Sequence, residues 1–474
     1  MEISRLSNHA REHLETIRAH YEKRDPLTNA ARAYRDILAS YYNLLIPASA
    51  SVLEVGCGAG DLLAKVRTSR KTGVDLSAAQ IELAKEKVPG ASFFVQAAEE
   101  LDLRGETFDY VILSETINLA ADAQRVFESL RTVSHPATRL IVNIHSSIWR
   151  PLVGFATWAG IRSRQPTSNW LSKDDIAGLL NLTGWEVIRH ESRILCPLKI
   201  FGLEKVLNRF VAPLVTPCCL SLFTIARPLS ENSRHDRTVS VVIPARNEAG
   251  NIRAAVERTP DMGVWTELIF VEGNSKDNTW QEIKQLEKIY PQKRIRILQQ
   301  SGKGKGNAVR EGFAVAQGEI LMILDADLTM PPEELPKFYQ AIASGRCEFA
   351  NGSRLVYPMD EKAMQFLNLC ANKAFSILFS WLLGQPVKDT LCGTKVLTKA
   401  NYEKIVANRS YFGDFDPFGD FDLLFGASKL NLKIFDIPIR YKERVYGETN
   451  IQRWKHGFLL LQMCFFAALK LKFV

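Results

Sequence analysis

Short apolar runs alternate with helical patterns in two separate parts of this 474-residue chain. The first series extends from Ser51 to about Asn143, and the second begins at "TVSVVIPARNE" and reaches "EILMILDAD". Such alternation is typical of an open, mainly parallel sheet covered by helices. A chain of this length is also too long for one ordinary hydrophobic core. The sequence therefore predicts an α/β protein of two domains, each with its own sheet.

The stretch that separates the two series is polar and shows no periodicity. We predict a first domain over residues 1–228 with N-terminal helices, a linker over 229–237 and a second domain over 238–474. The last residues, "RWKHGFLLLQMCFFAALKLKFV", combine an apolar run with cationic ends. This pattern suits a helix lying at a membrane interface. A core or dimer helix is the alternative.

Charge and cysteine content narrow the expected partners and compartment. The net charge of +8 suits an anionic partner, such as a phosphate-rich ligand or an acidic membrane surface. The 8 cysteines are scattered without a CxxC pair, so we expect a reducing compartment with neither disulfides nor structural zinc. The charged start of the chain has no apolar signal core, and no segment reaches the roughly 20 apolar residues of a spanning helix. We expect a cytoplasmic protein, with peripheral contact at the cytoplasmic face of a membrane as an option, and no nucleic-acid partner.

The first series opens with "VLEVGCGAGDLL", which places Gly56, Gly58 and Gly60 in a turn between a strand and a helix. Glycine lets a backbone approach a ligand closely, and the helix that follows presents unpaired N–H groups. Glu54 lies at the end of this strand and Asp75 at the end of the next. Open α/β sheets bind ligands at these strand ends, and a carboxylate there can accept both hydroxyls of a ribose. The turn and its two acids predict a nucleoside-type ligand.

Residues 40–228 resemble the class I S-adenosylmethionine-dependent methyltransferases. The resemblance implies S-adenosylmethionine as cofactor, with Asp75 on the ribose. The cofactor-binding positions that it implies are Glu54, Gly56, Gly58, Asp75, Ala98, Glu99 and Ser114. Methyl transfer depends chiefly on alignment of acceptor and sulfonium. Glu115 and His145 are candidate bases, and a non-catalytic scaffold is the alternative for this half.

The second series contains "GEILMILDADLTMPPEEL", in which Asp325 and Asp327 follow an apolar strand. Adjacent carboxylates repel each other, so a divalent cation that bridges them to phosphate oxygens is an economical reason for the pair. Mg²⁺ typically takes one or two protein carboxylates together with substrate phosphates. A turn rich in aspartate is the alternative.

The ordered segments "VSVVIPARNEAGNI", "VEGNSKDNTW", "GKGKGNAVREGF" and "LDADLTMPPEEL" resemble family 2 glycosyltransferases of the GT-A fold. The branch that loads sugars onto polyprenyl phosphates is the most similar, and the resemblance extends from about Thr238 to Ile451. It implies a nucleotide-sugar donor, a polyprenyl-phosphate or glycan acceptor, and Mg²⁺ or Mn²⁺ on Asp325 and Asp327. The implied nucleotide-sugar-binding positions are Pro244, Ala245, Glu248, Glu272, Gly304, Lys305 and Asp325.

Further catalytic positions follow from the same resemblance. Arg354 in "GSR" falls where the polyprenyl-phosphate branch binds phosphate, and Arg444 falls in an RxxGES-type loop. Asp420 or Asp422 lies where many relatives keep an acid that activates the acceptor. A sugar hydroxyl would need such a base, whereas a lipid phosphate is already anionic. The family's DDxS reads Glu272-Gly273-Asn274-Ser275 here, so uridine and guanosine both stay open as the donor base.

The sequence as a whole predicts a bifunctional enzyme. A metal-dependent glycosyltransferase would move a sugar to polyprenyl phosphate or a related acceptor, and a methyltransferase would precede it in the same chain. A glycosyltransferase that acts on a sugar hydroxyl is the second enzymatic hypothesis.

Overall fold

The computed structural model describes residues 7–23, 28–160, 169–229, 236–357, 366–411, 421–442, 444, 446 and 453–474. The chain divides into two compact units. The first unit comprises Met1–Leu229 with Lys472–Val474, and the second comprises Ser230–Leu471.

The first unit is built on a 7-stranded sheet in the order β3-β2-β1-β4-β5-β7-β6. Its strands are β1 (Ser51–Val55), β2 (Arg70–Asp75), β3 (Ser92–Val95), β4 (Phe108–Ser114), β5 (Ser134–His145), β6 (Trp185–Arg193) and β7 (Ser221–Pro228). β7 runs antiparallel to both of its neighbours, and the other pairs are parallel. The strand order reverses between β1 and β4, which is where open α/β sheets bind their ligands.

Helices cover both faces of this sheet. The helices of the first unit, of which α5 contributes no buried residue, are α1 (Asn8–Glu22), α2 (Asn29–Leu45), α3 (Ala78–Lys87), α4 (Ala123–Ser129), α5 (Arg150–Trp158), α6 (Lys173–Leu182) and α7 (Leu203–Val206). Val52 packs into a core cluster with residues of α2, whereas the next residue, Leu53, packs into a cluster with residues of α4 and α6. This alternation follows from the two-residue period of a strand. The carboxyl-terminal residues of β1 are thereby fixed between two buried layers.

The second unit has a 7-stranded sheet in the order β10-β9-β8-β11-β13-β12-β14. Its strands are β8 (Val239–Ala245), β9 (Thr266–Glu272), β10 (Arg294–Gln299), β11 (Ile320–Ile323), β12 (Phe349–Ser353), β13 (Lys395–Thr398) and β14 (Ile434–Pro438). β13 is antiparallel to β11 and β12, and the remaining pairs are parallel. Ala245, Glu272 and Gln299 lie side by side in register, so three strands end at one edge. The prediction of two α/β domains is confirmed, and both sheets are mixed.

The helices of the second unit complete its layers. They are α8 (Ile252–Arg258), α9 (Thr279–Ile289), α10 (Lys305–Val315), α11 (Leu335–Ala343), α12 (Phe366–Leu383), α13 (Lys399–Ala407), α14 (Phe421–Lys429) and α15 (Arg453–Leu471). Among the helices that the structure describes, none combines the length and apolar character needed to cross a membrane. α15 buries Leu460 and Met463, whereas Phe458, Leu461 and Phe465 are exposed.

Candidate active sites

A cavity of about 820 Å³ lies at the carboxyl ends of β1, β2 and β4 in the first unit. Its walls contain every cofactor-binding position predicted for this unit: Glu54, Gly56, Gly58, Asp75, Ala98, Glu99 and Ser114. Ile17 of α1 and Arg35 of α2 also line the cavity, so the N-terminal helices form part of its wall. The volume falls within the range of small-molecule sites.

The glycine turn after β1 shows two different uses of glycine. Gly56 has φ +76°, and a Cβ there would collide with the side chain of Thr116. Gly58 has φ +52°, and the nearest atom to a Cβ there would be Oε1 of Gln80 at 3.9 Å. The amide of Gly58 donates a hydrogen bond to Oδ2 of Asp75 (2.7 Å). Gly56 therefore serves packing, whereas Gly58 leaves open space next to the ribose-binding acid that the sequence predicts.

Glu54 places a carboxyl group in an unfavourable environment. Only 2% of this residue is exposed, and its Oε2 atom has no hydrogen-bond partner. Burial raises the pKa of Glu54 to about 8, although the nearby positive charge of Arg35 acts in the opposite direction. A cationic ligand in the cavity would favour the ionised carboxylate. The Oε2 atom without a hydrogen-bond partner and the open space at Gly58 fit a ligand with sulfonium and ammonium groups, such as S-adenosylmethionine.

Glu115 and His145, the two candidate bases, lie in direct contact at the wall of the cavity. The Oε1 atom of Glu115 lies 3.1 Å from Nε2 of His145, and its Oε2 atom lies 3.7 Å from the guanidinium of Arg35. Burial opposes ionisation of Glu115, but His145 and Arg35 hold its pKa well below the usual range. The ring of Tyr34 stacks on His145, and its hydroxyl group pairs with that of Ser221 (2.8 Å). The imidazole of His145, oriented by Glu115, could accept the proton of a hydroxyl-bearing acceptor nearby.

The strand ends of the second unit shape the predicted donor site. Pro244 and Ala245 end β8, and the carbonyl of Ala245 accepts a hydrogen bond from the amide of Gly273 (2.8 Å). Glu272 is buried at the end of β9, where its carboxylate accepts a hydrogen bond from the amide of Ser275 (2.5 Å). The glutamate therefore shapes the loop that follows β9.

Five predicted residues meet in a charged cluster at the end of β11. Oδ1 of Asp325 lies 2.6 Å from Nζ of Lys305. Oδ2 of Asp327 lies 2.6 Å from one guanidinium nitrogen of Arg444, whose other nitrogen lies 3.0 Å from Oε1 of Glu248. Residues from four separate segments are thus brought together. The charged cluster, defined as these five side chains, has one more carboxylate than cations.

The two aspartates fit a divalent ion that shares its coordination with a substrate. Within the described residues, no group of three or more His, Cys, Asp and Glu side chains is placed to hold a metal. Mg²⁺ needs only one or two protein carboxylates when phosphate oxygens complete its shell. Asp325 and Asp327 each already hold a cationic side chain, which shows that their carboxylates are oriented toward positive charge.

Two glycines shape the backbone around the charged cluster. Gly304 precedes α10 with φ +84°, and its carbonyl accepts a hydrogen bond from the Gln300 amide nitrogen (2.8 Å), which places Lys305 at the first position of the helix. A Cβ at Gly393 would collide with the carboxylate of Asp325 and the amine of Lys305. Gly393 therefore permits the segment before β13 to pass directly over this ion pair.

Arg354, predicted to bind phosphate, forms a buried pair with Asp389. Its Nε atom donates to Oδ2 of Asp389 (2.7 Å) and its NH2 group donates to Oδ1 (2.9 Å). The guanidinium also lies over the ring of Tyr441, 5.1 Å from its centroid. Arg354 thereby anchors the segment that leads from Asp389 to Gly393.

The two candidate bases for the acceptor are located differently. Asp422 lies in the first turn of α14, and its Oδ2 atom is 3.1 Å from a guanidinium nitrogen of Arg409. A guanidinium at this distance favours the ionised carboxylate and weakens it as a proton acceptor. Asp420 lies outside the described residues.

Comparisons with known proteins agree with this division. The family model "Methyltransferase domain" matches residues 47–174, and the family model "Glycosyl transferase family 2" matches residues 240–395. The chain therefore carries a methyltransferase domain followed by a family 2 glycosyltransferase domain.

Among individual proteins, the chain is similar to dolichol-phosphate mannosyltransferase of Pyrococcus furiosus, with 30% identity over 45% of this chain and 59% of the relative. It is also 38% identical to dolichol-phosphate mannosyltransferase of Saccharomyces cerevisiae, over 22% of this chain and 40% of the relative. The matches thus span only part of each relative. A solved SAM-dependent methyltransferase from Thermotoga maritima aligns with 41% of this chain and 90% of its own, at 16% identity and a TM-score of 0.32.

Proposed function

We propose that the second unit transfers a sugar from a nucleotide-sugar donor to polyprenyl phosphate or a related glycan or lipid acceptor. The observation that carries this proposal is the charged cluster at the end of β11, where Lys305 and Arg444 hold Asp325 and Asp327. The two relatives, both called dolichol-phosphate mannosyltransferase, support the lipid phosphate as acceptor. A transfer assay with radiolabelled UDP- and GDP-sugars and a short polyprenyl phosphate tests it. Label in the lipid phase is expected, and its absence with every donor would contradict the proposal.

The residues of the charged cluster would divide the work of this reaction. Asp325 and Asp327 would hold Mg²⁺ or Mn²⁺, which supplies positive charge to the departing diphosphate. Lys305 and Arg444, which lie against these carboxylates, would stabilise the leaving diphosphate and position an anionic acceptor.

The ion pair of Asp422 favours a phosphate acceptor over a sugar hydroxyl. Because Arg409 already neutralises Asp422, this carboxylate is a poor base. We expect Asp422→Asn to keep the transfer rate to polyprenyl phosphate within about threefold of the unmodified protein. Asp420→Asn is expected to behave in the same way in the same assay. A loss of about 100-fold or more in either variant would instead support the sugar-hydroxyl mechanism.

We propose that the first unit binds S-adenosylmethionine in its cavity and transfers the methyl group to an acceptor near Glu115 and His145. Glu54, Gly58 and Asp75 would contact the cofactor. The alternative, a non-catalytic scaffold, predicts that the purified protein does not bind S-adenosylmethionine. Equilibrium dialysis with the labelled cofactor separates the two.

The buried carboxyl group of Glu54 makes cofactor affinity dependent on pH. Its pKa of about 8 means that the carboxyl is mostly protonated at pH 7 and must lose a proton to pair with a cation. Relative to Glu54→Gln, the affinity of the unmodified protein for S-adenosylmethionine should rise about 25-fold between about pH 6.5 and about pH 8.5. The ratio of the two proteins cancels the titration of the ligand's own amine. Glu100→Gln, at an exposed position next to Glu99 in the sequence, is the matched control. A ratio of the two affinities that does not change with pH would contradict the expectation.

Contact with a membrane would bring the second unit to a lipid acceptor. α15 exposes Phe458, Leu461 and Phe465, with the cation Lys470 near its end. Apolar side chains beside cations suit a helix that lies in a bilayer interface. We propose a peripheral position at the cytoplasmic face of a membrane.

A further inference from the structure

The first unit has an exposed apolar helix that none of the described residues of this unit cover. α5 contains no buried residue. Ile148, which precedes it, and Leu152, Phe155 and Trp158 within it recur at helical spacing and are exposed by 65%, 57%, 60% and 81%. Helices this short are marginal in water unless an apolar face is packed against something. α5 therefore requires an apolar environment outside the fold of this unit.

A second exposed apolar segment precedes a turn that contacts the start of α5. It covers residues 198–214 and contains Leu198, Ile200, Phe201, Leu203, Val206, Phe210 and Leu214, all exposed. Phe201 protrudes completely from the fold, with a relative exposure of 109%. The indole N–H of Trp149 donates to the carbonyl of Cys218 (2.8 Å), which ties the start of α5 to the turn that follows this segment. The two segments, 148–158 and 198–214, are called the apolar surface below.

The charges on the apolar surface indicate which kind of partner covers it. No Asp or Glu occurs between Ser146 and Lys173. Between Leu198 and Leu214 the one acid is Glu204, which is buried and accepts hydrogen bonds from the amides of Ile200 and Gly202. Four cations are exposed there: Arg150, Lys199, Lys205 and Arg209. One of them, Lys199, lies 3.5 Å from Asp36 of α2. Protruding Trp, Phe and Leu side chains among Lys and Arg are typical of proteins that insert into an anionic bilayer interface.

We propose that the first unit docks on an anionic lipid bilayer through the apolar surface. Arg150 at the start of α5 lies over the ring of Trp170, 5.8 Å from its centroid, and Trp170 lines the cavity. Docking therefore brings the rim of the cavity next to lipid headgroups, so that a methyl acceptor carried on a lipid can enter from the bilayer. That consequence rests on the proposed methyl transfer, whereas the docking itself does not.

Flotation of the full chain with lipid vesicles tests the docking. Because α15 offers a second route to the membrane, F458S/L461S/F465S serves as the background. In this background, L152S/F155S/W158S should bind about 30-fold more weakly to phosphatidylcholine vesicles with a quarter phosphatidylglycerol. R150Q/K205Q should lose binding to these vesicles but not to pure phosphatidylcholine. The matched control is V95S/L182S, which removes two exposed apolar side chains elsewhere in the unit and should change binding by less than about twofold.

Two results would overturn the proposal. One is equal vesicle binding by L152S/F155S/W158S and by V95S/L182S, with both variants melting as the background does by circular dichroism. The other is a dimer of the unmodified chain, seen by analytical ultracentrifugation without lipid, that L152S/F155S/W158S converts to a monomer. The apolar surface would then be covered by a second copy. Binding of S-adenosylmethionine by the first unit is measured separately by equilibrium dialysis, so a failure of the proposed methyl transfer is distinguishable from a failure of the docking.

Discussion

Asp327→Asn is expected to lower the rate of sugar transfer by about 10³-fold, because it removes a carboxylate that serves two positive partners. In the structure this carboxylate holds Arg444, and in the donor complex it would hold the divalent ion. An asparagine keeps the shape of the side chain but gives up the charge. Arg444 retains Glu248 as a partner, so the fold should survive the change.

A matched control separates the function of this carboxylate from a general effect of lost charge. Asp261 pairs with Lys293 at 2.9 Å on an exposed part of the second unit. Asp261→Asn removes the same charge from a similar pair and should leave the rate within about twofold. The comparison is made from initial rates with saturating donor and Mn²⁺. A rate for Asp327→Asn above about a tenth of the unmodified protein would contradict the role given to the charged cluster.

Asp389→Ala is expected to lower the free energy of unfolding of the second unit by roughly 3–5 kcal/mol, because it leaves the buried guanidinium of Arg354 without its partner. The pair is fully enclosed on the aspartate side, where the side chain is 0% exposed. The replacement R354M/D389L removes both charges and should recover much of the loss. Urea unfolding of the full chain measures this, and protection by nucleotide identifies the transition of the second unit.

The same experiment tests the phosphate-binding role predicted for Arg354. If Arg354 acts mainly as an anchor, Arg354→Gln and Asp389→Ala should each lower the free energy of unfolding of the second unit. If Arg354 instead contacts phosphate directly, Arg354→Gln should abolish sugar transfer while the unfolding transition stays in place. An Asp389→Ala protein as stable as the unmodified one would refute the anchoring role.

Much of the fold follows from the sequence because buried parallel strands and their covering helices have different apolar periods. The runs that contain β1 and β11 are short and apolar, and each is followed by a turn with glycine or aspartate. The alternation of strands and helices in the sequence does not reveal whether a strand runs parallel or antiparallel to its neighbours. β7 and β13 return antiparallel to their neighbours, and an apolar run carries no signal for that reversal.

In the candidate sites, too, the sequence predicts residues at strand ends but not contacts between segments that are far apart in the chain. Glu54 and Asp75 could be predicted because each acid lies at the carboxyl end of a short strand. The sequence does not predict the roles of Arg35 and Tyr34, because they lie on α2, whose sequence only indicates an amphipathic helix. Their contacts with Glu115 and His145 depend on how that helix packs. The contact of Gly393 with the pair of Asp325 and Lys305 likewise depends on the arrangement of distant segments in space.

The central claim is that the charged cluster binds a nucleotide-sugar diphosphate together with a divalent ion. Calorimetric titration of UDP, GDP and their common sugar conjugates, with and without Mn²⁺, tests it most directly. We predict tight binding of one nucleotide that requires Mn²⁺ and disappears in Asp327→Asn, whereas Mn²⁺ alone binds weakly because two carboxylates do not complete its coordination. Binding of no nucleotide to folded protein, or equal binding with and without Mn²⁺, would contradict the claim.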